Sequence, residues 1–296
     1  MELLIYGILV KRFIMYKMED NAQRTEGEKM KKVLVLMMCF MFVGAGSVLA
    51  EVDLKEHTTE IGTEVSYIKY EEPGLMEESG MMYGLYGSYT YRFSNVMLRA
   101  DGKWSYGQVD YKSSGSGNMN NIDDYMVEFR GVVGYDFPMH TASLITPYIG
   151  FGYRYLNDDL IGTTSTGASG YERESNYYYT PIGIETITEL EDGWSIGLIV
   201  EYDYFWQGVQ DSHLSDAGLG LNDISNDQND GYGLRASIKA HKKGDTIDLT
   251  IEPFIRYWDI NQSETTAITA GTTIVGSGFE PANESTEIGL KVALNF

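Results

Sequence analysis

From residue 51 onward, apolar and polar side chains alternate with a period of two, the period of an extended strand and not of a helix. The C-terminus shows it most plainly: Ile288, Leu290, Val292, Leu294 and Phe296 share one parity, and Glu287, Gly289, Lys291, Ala293 and Asn295 the other. Ile149, Phe151, Tyr153 and Tyr155 alternate with Tyr148, Gly150, Gly152 and Arg154. Trp194, Ile196, Leu198, Val200, Tyr202, Tyr204 and Trp206 alternate with Ser195, Gly197, Glu201 and Asp203. A chain patterned this way is all-β.

Ten such segments run roughly Thr58–Tyr70, Met81–Phe93, Asn95–Tyr111, Ile122–Phe137, Leu144–Asn157, Tyr177–Leu190, Trp194–Gly208, Gly231–Lys242, Asp245–Asp259 and Glu284–Phe296. Their connectors alternate in length. Short ones fall at Ser94, Pro138–Ser143, Glu191–Gly193 and Lys243–Gly244. Long ones fall near Glu71–Gly80, Lys112–Asn121, Asp158–Asn176, Val209–Asp230 and Ile260–Asn283. A soluble sandwich would use strands of about 5–6 residues, and these segments are far longer. Their second face mixes glycine with charge. The expectation is a closed antiparallel transmembrane β-barrel of about ten strands, with lipid outside, polar side chains inside, turns at one rim and loops at the other.

Aromatic residues support the same reading. Trp104, Tyr106, Tyr153, Tyr155, Tyr202, Tyr204, Trp206 and Tyr257, with Tyr83, Tyr125, Tyr178 and Tyr232, fall at the loop-side ends. Phe93, Phe137, Trp194 and Phe296 fall at the turn-side ends. Two aromatic girdles mark the two interfaces of a spanning barrel.

The first fifty residues are of another kind. Met30-Lys31-Lys32 precedes an apolar run from Val33 to Val43, and small residues follow as far as Val48-Leu49-Ala50. This is the pattern of a cleaved signal peptide, leaving Glu51 as the mature start. Met1–Lys29 precedes a complete signal and is expected to be a mis-assigned upstream extension. The expected organisation is therefore 1–29 extension, 30–50 signal peptide and 51–296 barrel domain. The single cysteine, Cys39, lies in the signal. The mature part has no route to disulfides, thiol catalysis or cysteine-bound metal.

Composition closes other routes. The chain carries 22 basic and 43 acidic residues, a net charge of -21. It offers no cationic face to phosphates, so no nucleic-acid partner is expected. A negative mean hydropathy is incompatible with many helical spans. No P-loop, dinucleotide fingerprint or Ser-His-Asp spacing occurs, so no cofactor and no metal site is expected. The stretch Asp211–Asp230 holds Asp211, Asp216, Asp223, Asp227 and Asp230 without Lys or Arg. It reads as a solvated loop. Divalent cations bridging its carboxylates are the alternative, although calcium-loop spacing is absent.

These residues resemble a Gram-negative outer-membrane β-barrel protein over Glu51–Phe296. The terminal strand Ile288–Phe296, with its final Phe296, is similar to the signal read by the barrel-assembly machinery. The resemblance implies residence in the outer membrane after export, among its lipids and lipopolysaccharide.

Alternation assigns Arg92, Arg99, Lys103, Arg130, Arg154, Arg235, Lys239, Arg256 and Lys291 to the lumen. It assigns Glu64, Asp101, Glu128, Asp136, Glu185, Glu201, Asp203, Glu252 and Glu287 there as well. The two sets balance. Narrow barrels are filled by side chains, whereas wide ones hold water. A structural charge network of paired Arg and carboxylate groups follows, with a selective ion path as the other reading.

Asp211-Ser212-His213 stands at the outer end of the seventh segment, and an Asp beside a His can orient an imidazole that activates water. Asp123 and Asp124 begin the fourth segment, with Asp110 on the third. The arrangement resembles the omptin proteases, which are ten-stranded outer-membrane barrels with an Asp-x-His pair in the fourth outer loop and an acidic pair in the second. Asp211 and His213 match that spacing. Asp123 and Asp124 are adjacent where the family pattern has one residue between. Three readings follow: a non-enzymatic barrel with a filled lumen and acidic surface loops, an omptin-like endopeptidase using Asp211, His213, Asp123 and Asp124, and a small diffusion pore.

Overall fold

The computed structural model describes residues 54–140 and 142–296. The expected extension 1–29 and signal peptide 30–50 lie outside the described residues. Fourteen strands follow one another: β1 (His57–Glu72), β2 (Met76–Phe93), β3 (Val96–Ser113), β4 (Gly117–Tyr135), β5 (Phe137–His140), β6 (Ser143–Asp159), β7 (Glu172–Glu189), β8 (Trp194–Ser212), β9 (Ile224–Gln228), β10 (Gly231–Lys242), β11 (Asp248–Ile260), β12 (Thr266–Ala270), β13 (Thr273–Gly278) and β14 (Asn283–Asn295).

Ten of them close a barrel. Antiparallel pairing runs β1-β2-β3-β4-β6-β7-β8-β10-β11-β14 and returns to β1. The seam registers Glu60 with Asn295 and Glu71 with Glu284. Thr59 and Phe296 exchange backbone bonds, with each N–H donating to the other's carbonyl at 3.3 and 2.9 Å. Both ends of the barrel therefore meet at the turn rim. Of the remaining strands, β5 pairs with β6, β9 continues the edge of β8, and β12–β13 is a separate hairpin on the loop side.

The period-two pattern explains the wall. In β14 Ile288, Leu290, Val292 and Leu294 are exposed outward, while Glu287, Lys291, Ala293 and Asn295 are buried. A one-residue shift of register would exchange these sets, so burial fixes the pairing. The turn rim is tight: Ser94 (φ 51°) and Asp192 (φ 57°) take left-handed backbone there.

The first two outer connectors are shorter than expected. β1 and β2 run on to a turn at 73–75, and β3 and β4 to one at 114–116. Their ladders continue above the apolar belt through polar residues, helped by Lys69, whose ammonium stands 2.7 Å from Glu71 and 3.3 Å from Glu77.

Inside, glycines face rings. An added Cβ on Gly152 would overlap the ring of Tyr179, and one on Gly183 the ring of Tyr148. Each tyrosine lies across the wall where a glycine leaves room. Apolar groups fill the loop-side end of the lumen, with Ile68, Met82, Val109, Ile122, Met126 and Leu156 in one cluster. Tyr177, Tyr179, Phe205, Trp258 and Ile260 form another.

Candidate functional site

The middle of the lumen is a lattice of ion pairs. Arg130 donates to Glu201 at 2.6 Å and to Asp101 at 3.2 Å. Arg99 reaches Glu185 at 2.7 Å. Arg256 and Lys103 share Glu64 and Glu287, all at 3.1 Å. Arg235 joins Asp203 at 2.6 Å and also meets Glu128. Lys291 pairs with Glu252 at 2.7 Å, and Arg92 lies 3.3 Å from Asp136. Arg154 is the exception among the expected cations. Its guanidinium lies 5.6 Å from the centroids of both Tyr177 and Trp258, held by ring faces rather than by a carboxylate. Tyr179 and Tyr148 donate to Glu128 and Glu201, both at 2.7 Å.

Sequence reasoning missed part of this interior. Glu60, of the same parity as Glu64, binds Lys239 at 2.9 Å and Lys291 at 3.0 Å. Glu72 and Glu280 clasp Arg173 at 2.8 and 2.6 Å, and Tyr70 donates to Glu280 at 2.9 Å. Glu78, Asp124 and Asp158 are buried as well. The loop-side end of the lumen is thus acidic, and the expected balance of signs holds only lower down. Carrying the alternation of β1 past Tyr70 would have found Glu72. Nothing in local pattern points to Arg173 or Glu280.

The residues of the omptin-like reading do not converge as expected. Asp123 and Asp124 are neighbours in a strand and face opposite ways. Asp123 is exposed and accepts from Tyr106 Oη at 2.7 Å and Gln108 Nε2 at 2.9 Å. Asp124 is buried in the lumen. Asp110 accepts from the backbone N–H of Asn121 at 3.1 Å. Asp211 stands across the sheet from Glu174 and Ser225.

His213 has different carboxylate neighbours: its Nδ1 is 3.5 Å from Asp223, and its Nε2 is 3.8 Å from Glu174. A bulge explains the displacement. Tyr178 pairs with Gln207 and Tyr179 with Phe205, leaving Trp206 as an extra residue. Beyond it Gln210 and Ser212 point inward, and Asp211 falls on the other face.

The loop after β8 uses its acids structurally. Ser215 N–H donates to Asp223 at 2.9 Å, and Glu172 N–H to Asp216 at 3.3 Å. Asn261 donates to Asp230 at 2.6 Å. The Ser215 bonds hold the Asp223 carboxyl below the usual range. Partial burial pulls the His213 imidazolium down. The Asp223 hydrogen bond and the charges of Glu172, Glu174 and Asp223 outweigh it, so His213 titrates above an ordinary histidine. Among the described residues, no group of three or more His, Cys, Asp or Glu is arranged to hold a metal.

Closed ten-strand geometry with a charge-filled lumen is accompanied by a family match. The model of the autotransporter beta-domain matches residues 71–219. The chain belongs to the autotransporter beta-domain family. The matched part of this autotransporter beta-domain runs from the end of β1 to the loop after β8. No curated protein matches the sequence.

Several solved outer-membrane barrels are similar to it. The translocator domain of autotransporter NalP from Neisseria meningitidis is 11% identical over 81% of this chain and 89% of that one, with a TM-score of 0.41. The Pseudomonas putida toluene transporter TodX is 10% identical over 82% and 90%, with a TM-score of 0.32. Ail of Yersinia pestis is 10% identical over 82% and 100%, with a TM-score of 0.32.

Proposed function

We propose that the protein is a non-enzymatic integral outer-membrane barrel whose lumen is shut by its own side chains and whose acidic loops serve structural or surface-interaction roles. One observation carries this reading. The central cavity measures about 90 Å³ and is walled by Arg99, Asp101, Lys103, Glu128, Arg130, Glu201, Arg235 and Arg256. The space toward the turn rim is about 130 Å³. Such volumes suit clusters of water rather than the wide aqueous channel of a large barrel.

The outward aromatic girdles fit the lipids and lipopolysaccharide of that membrane, and Phe296 fits the end signal for barrel assembly. Divalent cations at the acidic Asp211–Asp230 loop belong to the same proposal. The carboxylates that approach His213 are Asp223 and Glu174, not the Asp123 and Asp124 that the peptidase reading calls for.

The test is conductance in planar bilayers. The wild type is expected to be nearly silent. Replacing Arg99, Arg130 and Arg256 together by Ala removes three long side chains from the cavity wall and should raise cation leakage. Steady porin-sized current through the wild type would replace this reading with that of a small diffusion pore.

A further inference from the structure

The loop-side end of the lumen gathers carboxyl groups that the ion-pair lattice does not reach. Asp124 of β4 and Asp158 of β6 are directly opposed in the sheet register, and both point inward. Glu78 of β2 joins them. The Asp158 carboxyl lies within hydrogen-bonding reach of both Glu78 and Asp124. The exposures of Glu78, Asp124 and Asp158 are 4%, 4% and 5%. Glu78 Oε1, Asp124 Oδ1 and both oxygens of Asp158 are buried and have no hydrogen-bond donor.

Three carboxylates in contact, out of water, repel one another strongly, and a buried oxygen without a donor costs further free energy. A neighbouring cation is the usual remedy. Arg173 of β7 is the cation near them, and its guanidinium is already shared between Glu72 of β1 and Glu280. The residues opposite Glu78 in the sheet, Tyr70 and Tyr111, bring no positive charge. Asp123 and Asp159, next in sequence to Asp124 and Asp158, are exposed on the opposite face and add only negative charge. The wall around it is apolar, with Met82, Ile122, Met126 and Leu156. Among the described residues no set of three or more ligands is arranged for a metal.

A proton is the remaining remedy. A protonated carboxyl donates to its neighbour's carboxylate, turning a repulsion into a short, charge-assisted bond. With Asp158 in the middle, protons on the cluster give each contact a donor.

We infer that Glu78, Asp124 and Asp158 form a shared-proton site that fastens β2, β4 and β6 together at the loop-side mouth, and that removing its protons drives the mouth apart. This extends the closed-lumen reading without depending on it.

The experiment is infrared spectroscopy of the full barrel in micelles, in H2O and D2O, with thermal unfolding from neutral to alkaline pH. The wild type should show a carboxylic-acid C=O band at neutral pH. That band should lose intensity in Asp158→Asn and disappear in the combined Glu78→Gln, Asp124→Asn and Asp158→Asn variant. The wild type should lose Tm on moving to alkaline pH, and the triple amide variant should lose much less, because its amides cannot ionise. Absence of the acid band at neutral pH in the wild type overturns the inference. So does a Tm that falls on treatment with a chelator in the wild type but not in the triple amide variant, which would assign the site to a bound cation. A conducting wild type that keeps the acid band would sink the closed-lumen reading alone.

Discussion

Arg235 on β10 and Glu128 on β4 meet across the lumen in a paired guanidinium–carboxylate contact, with Asp203 and Glu201 of β8 at the guanidinium's other edge. One cation therefore ties two opposite walls. Replacing it with Met leaves several buried carboxylates short of a partner. Breaking one side of a buried pair costs about 3–5 kcal/mol, and lumen water reduces that. Arg235→Met is expected to lower the unfolding free energy by roughly 3 kcal/mol. Adding Glu128→Gln should restore part of it. Urea unfolding in micelles measures both, and an unchanged midpoint in Arg235→Met would contradict the pairing.

Leu290 and Lys291 separate insertion from packing. Leu290 is exposed on the outer wall, while Lys291 is buried between Glu60 and Glu252. Leu290→Arg places a charge toward lipid, at a cost of roughly 2–4 kcal/mol near the midplane. Membrane yield should drop. Lys291→Leu should insert nearly normally and then unfold at lower temperature. Equal membrane yields for the two would count against the face assignment.

Gly152 makes room for Tyr179, whose hydroxyl binds Glu128. Gly152→Ala forces the ring and that hydrogen bond to move, and overpacking of this kind costs about 1–3 kcal/mol. Gly131→Ala is the matched control, since an added Cβ there meets nothing. Thermal unfolding should separate them clearly. Equal losses would show that backbone freedom rather than ring packing decides.

His213 should titrate above an ordinary histidine, because its acidic neighbours favour the imidazolium. A raised folded-state value gives stability that is complete below the unfolded value, near 6.5, and is lost as pH rises through the folded one. Histidine NMR titration reads this directly. Asp223→Asn should lower the value, since it removes the charge and leaves only a weaker, neutral acceptor. A titration unmoved by that change would dismiss Asp223 as the partner.

Much of the barrel was legible because burial enforces a strict parity. β10 spans Gly231–Lys242, the same bounds as its alternating segment. The expected cations from Arg92 to Lys291 all point inward, because a wall between lipid and lumen leaves a charged side chain only one favourable side. The candidate site was less legible for a local reason. Trp206 is one residue inserted into the ladder, and it exchanges the faces of everything after it in β8. Asp211 and His213 lie beyond it, and their spacing in sequence says nothing of which carboxylates the fold brings to them. The Arg173 clasp was hidden for the opposite reason, since Glu280 comes from a segment without periodicity. The extension of β1–β4 was hidden because polar strands above a membrane lack the apolar face that announces a strand.

The seam between β1 and β14 has a consequence for biogenesis. Glu60 finds Asn295 across nearly the whole described chain, and β14 also supplies the second neighbour of β11. Closing so long a loop must precede the contacts that reward it, which makes assembly slow. Without β14, β1 and β11 would carry two unpaired edges, each a template for wrong partners. Until β14 is laid between β1 and β11 the wall keeps two open edges, so one strand decides whether the sheet is protected at all.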